Sequence, residues 1–345
     1  MENASSTRTS KKRALAIHGV KALVGVVLVC LILWRYDLRG VFDVIVKMDL
    51  LRLGEAWVFA FLAMIAFVYM QAIIFRPLGD CISPLFLLKV QFQQRFYAMF
   101  LPGGGALVVK WYKLAKPSGR PGIAAALMLL MPLVAGSTGM SVVALAVFAD
   151  ESFPWPGVRW AMPAAVVVLW LGSAALFSKR IRRGLARLRP PIRLPKRLKG
   201  FGAKLASIPA AMDEFSKRDV ALMLLFGSLS QALFILQLAY CGYAVGIDLP
   251  AVTIGWLVAL LGACSAVPIT VSGLGLREAC SIVLLSEYGI SEERAIGFSL
   301  AFFAAFPVVK GVIGGVTELV DLLRAIHRDR LARNAGEADR GAQSG

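Results

Sequence analysis

The chain of 345 residues is 58% hydrophobic with a mean hydropathy of +0.71, yet it carries 38 Lys+Arg against 21 Asp+Glu, a formal net charge of +17. So much apolar material excludes a disordered basic protein, and it exceeds the roughly 45–50% apolar share of a water-soluble globule. What remains is an all-α polytopic membrane protein, and the question becomes where its charge sits.

Residues 1–13 form a basic cytoplasmic N-terminus that ends in Lys11-Lys12-Arg13. The apolar run Ala14–Trp34 is longer than the ~7–15-residue core of a signal peptide, and no small-residue cleavage site follows. It reads as an uncleaved spanning helix. Gly54–Phe75, Ile123–Phe148, Val158–Phe177, Asp219–Val245 and Ala295–Leu322 also supply the roughly 20 apolar residues needed to cross hydrocarbon, giving six full spans.

Two further apolar stretches are interrupted. Pro84–Leu101 runs into Pro102-Gly103-Gly104-Gly105 and then Ala106–Leu114. Pro250–Val267 runs into the segment Pro268 to Gly275 and then Leu276–Leu285. Pro and Gly clusters end helices, and lipid cannot satisfy the backbone groups they free. Both breaks must be buried in protein or line a wet cavity. They are predicted as two broken or re-entrant helix pairs, for about eight spans if these cross. The transmembrane domain thus covers residues 14–322, with a basic cytoplasmic loop at 179–218 and a disordered cytoplasmic tail at 323–345.

Charge fixes the predicted orientation. Residues 1–21, 76–122, 179–218 and 324–345 hold 30 of the 38 basic residues but 7 of the 21 acids. The intervening loop 286–294 has one base, Arg294, against Glu287, Glu292 and Glu293. Both termini are therefore expected in the cytoplasm. Trp34, Trp57, Trp155, Trp160 and Trp256 all fall near the predicted outer interface. The loop 179–218 either lies on the leaflet, attracting anionic headgroups, or serves as a docking surface. With Phe201 and Phe215 as its few aromatics, it is not read as binding nucleic acid.

Cys30, Cys81, Cys241, Cys264 and Cys280 are odd in number, form no CxxC and lie mostly in apolar runs, so neither a disulfide framework nor a metal site is expected. GxSxG, GxxxxGK[ST] and HExxH are absent, and no cofactor is predicted. Intramembrane polar groups carry the remaining information, because exposing them to lipid is expensive. Gln91, Gln94, Arg95 and Ala98 share one helical face, with Leu88, Phe92, Phe96 and Met99 on the other. Arg95 either holds a phosphate, which its planar fork suits, or snorkels to the headgroups. The triplet Gly103, Gly104 and Gly105 opens a short helix whose N–H groups attract an anion, with Lys110 one to two turns on; the alternative is a hinge or packing role. Ser272, Gly273 and Gly275 precede Arg277 and Glu278, which either pair to pin the break or hold a headgroup and a counter-charge. Lys310 sits mid-span, three residues after Pro307, with Glu318 or Glu278 as candidate partners. Gly311, Gly314 and Gly315 after it form a GxxxG surface for close helix packing.

At the two breaks the sequence resembles the flippase-like transmembrane domain of lysylphosphatidylglycerol synthases. The resemblance is carried by Leu101-Pro102-Gly103-Gly104-Gly105 with Lys110–Leu114, and by Pro268-Ile269-Thr270-Val271-Ser272-Gly273-Leu274-Gly275-Leu276-Arg277-Glu278 with Gly289 and Gly314-Gly315. It covers roughly residues 15–325. After the first break the family often shows Gly-Gly-Asp-x-x-Arg; Leu107 stands here for the acid and Lys110 for the arginine. No aminoacyl-transferase domain follows the last helix, so lysyl transfer is not implied. The resemblance implies movement of a lipid or lipid-linked substrate between leaflets of a bacterial inner membrane.

The leading expectation is a flippase-like carrier for an anionic lipid or lipid-linked phosphate. Arg95, Lys110, Arg277 and Lys310 would engage the phosphate, and Glu278 would orient Arg277. The alternatives are a non-transporting scaffold for a lipid- or glycan-modifying enzyme and, third, an intramembrane lipid transferase using Glu278. Oligomeric state is left open.

Overall fold

The computed structural model describes residues 38–101, 104–178, 215–266 and 276–343. Every regular element among them is helical. In chain order these are α1 (Leu38–Val46), α2 (Leu50–Phe75), α3 (Pro84–Phe100), α4 (Gly105–Ser118), α5 (Pro121–Ala149), α6 (Pro156–Phe177), α7 (Lys217–Ala244), α8 (Ala251–Ala266), α9 (Leu276–Ser286), α10 (Glu292–Phe303) and α11 (Val309–Gln343). The predicted span Ala14–Trp34, most of the loop 179–218, and Ser272, Gly273 and Gly275 of the second break lie outside the described residues.

Among the described residues, four stretches are long and apolar enough to cross a membrane: Leu50–Leu78, Pro121–Ala149, Lys217–Ala244 and Glu292–Arg324. They match four of the predicted spans, and α6 occupies a fifth with 22 residues. The flanks of both breaks are short, as expected. α3 has 17 residues and α4 has 14, each below the ~20 of a full span. Gly104 turns the chain between them at φ +89°, a left-handed conformation that a side chain would strain. α11 is helical to Gln343, and so runs on through the segment predicted as a cytoplasmic tail.

Caps and end contacts fix how the helices pair. Asp49 caps α2 through Leu51 N and Arg52 N, and its own N–H donates to Ala244 O at 2.9 Å. At the other end of α2, Arg76 grips Asp219 with two bonds of 2.9 and 2.8 Å, while Asp219 completes a capping box with Ser216. α2 and α7 therefore run antiparallel along their full length. The predicted outer loops gather at one end, where Arg294 donates to Gly246 O (3.1 Å) and the Trp256 indole donates to Asp150 (2.7 Å). The predicted cytoplasmic segments meet at the opposite end, where Arg120 donates to Pro77 O at 3.0 Å.

Apolar packing forms two clusters. One, toward the outer-loop end, includes Ala56, Leu238, Ile254, Trp256 and Phe306. The other includes Met70, Phe75, Leu87, Leu114, Leu127 and Met223. α11 crosses α3 antiparallel through its glycines. A Cβ on Gly314 would lie 2.1 Å from the Phe92 carbonyl oxygen, and one on Gly315 would lie 2.9 Å from the Phe96 ring. The expected GxxxG surface is thus a true backbone approach. On the opposite side of α11, Val312, Val316, Leu319 and Leu323 form an exposed stripe suited to lipid.

Burial works against ionisation of Asp150, but hydrogen bonds from Ser152 and the Trp256 indole outweigh it and hold the carboxyl below the usual carboxylate range. A depressed folded-state value stabilises the protein above the unfolded value and is lost as pH falls through the folded one. Melting temperature should therefore fall below about pH 4, and Asp150→Asn should flatten that fall. In detergent melts Gly314→Ala should cost about 1–3 kcal/mol through overpacking, with Gly54→Ala, which faces open space, unaffected.

Candidate functional site

The α3–α11 crossing sets the register of a group of cations. Phe92, Phe96 and Met99 meet the glycines of α11, which places Arg95 and Lys310 beside the same crossing. Gln91, one turn before Arg95, reaches from α3 to Lys110 on α4. The Lys110 ammonium is fully buried and donates to Gln71 Oε1 at 2.7 Å and Gln91 Oε1 at 3.0 Å. Met131 Sδ lies at 3.7 Å and the Phe75 ring 6.0 Å away. Two neutral amides thus solvate this charge, and no carboxylate among the described residues does.

Arg95 is exposed and lies one turn after Gln91 on α3. Neither Arg95 nor Lys310 has a hydrogen-bonded or ionic partner among the described residues. Lys310 is half-buried with its ammonium 5.9 Å from the Phe306 ring. Gln94, on the face shared with Arg95, leaves Oε1 buried and without a partner among the described residues. Counted at ~1.5 Å per residue, Arg95 lies roughly 18 Å from Ser83, Lys110 roughly 14 Å from Gly119 and Lys310 roughly 21 Å from Arg324. Along their own helices, all three positions thus lie several turns from the predicted cytoplasmic side.

Acids near this group are already engaged. Glu318, one of the two partners expected for Lys310, instead accepts from Tyr97 Oη at 2.9 Å and Lys113 Nζ at 2.8 Å. Asp321 accepts from Lys89 Nζ at 2.5 Å and Gln93 Nε2 at 2.9 Å. The other expected partner, Glu278, is buried and pairs with Arg277. Ser299 Oγ accepts from Arg277 Nε at 2.7 Å and donates to Glu278 at 3.0 Å. Arg277 also stacks over Phe303 at 4.8 Å.

Of the sequence-derived candidates, the structure brings together Arg95, Lys110 and Lys310. It ties Arg277 to Glu278 as a separate pair, the pinning alternative. Gly104 and Gly105 turn the chain into α4, and a Cβ on Gly105 would meet Leu101 Cβ at 3.0 Å. Gly103 lies outside the described residues, as do Ser272, Gly273 and Gly275. Gln71 and Ser299 were not singled out from sequence. Their signal was present in each case as a lone polar side chain inside an apolar run.

A family model described as the lysylphosphatidylglycerol synthase TM region matches residues 19–314. No curated protein matches the chain.

The amide pair makes a prediction about stability. Gln71→Leu removes the shorter of two acceptors from a buried ammonium and should cost about 1–3 kcal/mol in detergent melts. Lys110→Met removes the charge and should leave the melting temperature unchanged or raised, and should rescue Gln71→Leu when combined with it.

Proposed function

The chain belongs to the lysylphosphatidylglycerol synthase TM-region family, which makes it a membrane protein related to lipid metabolism, and on that premise we propose that it carries an anionic lipid or lipid-linked phosphate between leaflets. The observation that supports this reading most is the meeting of Arg95, Lys110 and Lys310 with no acid partner among the described residues. Charges held at bilayer depth need compensation, and a ligand phosphate supplies it where the protein does not. Arg95 is the open member and offers a planar fork to two phosphate oxygens. Lys310 adds a point charge from the neighbouring helix. Lys110, fully buried, contributes its field rather than contact. In this reading the protein sits in a bacterial inner membrane with the Arg76–Asp219 end in the cytoplasm. The ion pairs Lys89–Asp321 and Lys113–Glu318 then close the cytoplasmic side of the cation group, and a transport cycle requires them to part.

Proteoliposomes with fluorescent phosphatidylglycerol in the inner leaflet test the reading. Wild type should expose the probe faster than protein-free vesicles, and Arg95→Ala/Lys310→Ala should return the rate to that background. Equal rates for wild type and protein-free vesicles overturn the carrier function.

A further inference from the structure

The charge count at the cation group says more about the ligand than that it is anionic. Three basic side chains from three helices converge, and the neighbouring acids on α11 are bound by other partners: Glu318 by Tyr97 and Lys113, Asp321 by Lys89 and Gln93. The two groups nearest the Lys110 ammonium are glutamines, where a glutamate at either place would have neutralised it internally. The site is therefore built to keep its positive charge for something that is not part of the described protein.

A phosphodiester headgroup brings one negative charge and two free oxygens. Docked on the Arg95 fork it would use both oxygens and leave Lys310 uncompensated. A terminal phosphomonoester carries about −1.5 to −2 at neutral pH and three acceptor oxygens, enough to occupy the fork and reach a second cation. We propose that the Arg95–Lys310 opening, backed by Lys110, prefers a phosphomonoester over a phosphodiester, the class found in phosphatidic acid and lipid-linked monophosphates. This deepens the anionic-lipid reading above and rests on it. The same chemistry is offered by free inorganic phosphate, but Arg95 shares the end of α3 with the exposed apolar residues Met99 and Phe100, which favour a ligand with an acyl or isoprenoid tail.

The full chain in phosphatidylcholine nanodiscs, doped with either phosphatidic acid or phosphatidylglycerol, provides the test, with bound lipid counted by native mass spectrometry. Phosphatidic acid should bind about tenfold more tightly, the effect of one additional charge-assisted contact. Lys310→Gln should bring the two lipids toward parity, and so should Gln91→Glu, a near-isosteric change that gives Lys110 an internal counter-charge. Equal affinity of wild type for the two lipids overturns the monoester preference and leaves the anionic-lipid reading standing. Absence of saturable binding for both lipids removes that reading as well. Displacement of phosphatidic acid by millimolar inorganic phosphate overturns the lipid source and assigns the site to free phosphate.

Discussion

The close crossing of α3 and α11 is the constraint on which the rest of the polar architecture depends. In lipid, helices gain little from hiding apolar surface against each other, so association relies on backbone approach and on polar contacts between helices. Here both act at one place. Gly314 lets the Phe92 carbonyl come where a Cβ would stand, and Lys89–Asp321 and Gln93–Asp321 fasten the same two helices two turns on. Only with the axes this near do Arg95 and Lys310 share an electrostatic environment. A bulkier α11 would separate the cations and dissolve the site without altering any of its charged residues.

Lys110 shows how a membrane protein holds charge without cancelling it. An ion pair would have been the simpler way to place an ammonium in a dry interior, and the fold does use ion pairs at Lys113–Glu318 and Arg277–Glu278. For Lys110 it uses dipoles instead. Amide oxygens orient toward the charge and lower its solvation cost while leaving the net charge in place. The contrast within one molecule is between pairs that pin helices together and an amide pair that leaves Lys110 without an opposing charge.

Much of this architecture was legible in the sequence, for identifiable reasons. Four of the spans are recoverable because a long apolar window is a property of composition alone. The glycine surface of α11 was legible because small residues at i and i+4 must share a face. The pairing of acids was not. Depth along a helix suggested Glu318 as a partner for Lys310, but Glu318 lies two turns further on and faces Tyr97 and Lys113. Sequence spacing gives the height of a side chain far better than the neighbour it meets, since the neighbour depends on helices distant in the chain. The role of Gln71 is not legible in the sequence for the same reason: it comes from Lys110, 39 residues away.

The last span also contains a π-helical stretch, Ala304–Val308, with Pro307 inside it. Pro307 has no N–H to give, and the widened turn accommodates the missing bond without ending the helix. A single extra residue in a helical turn rotates everything downstream by roughly 100° about the axis. The two halves of the rod can therefore serve different neighbours: α10 lays Gly297 against Val44 of α1, while α11 presents its glycines and Lys310 to α3. The azimuth of the cation site is in this sense set by a phase error in the ladder, and deleting one residue between 304 and 308 would swing Lys310 from the protein interior toward lipid.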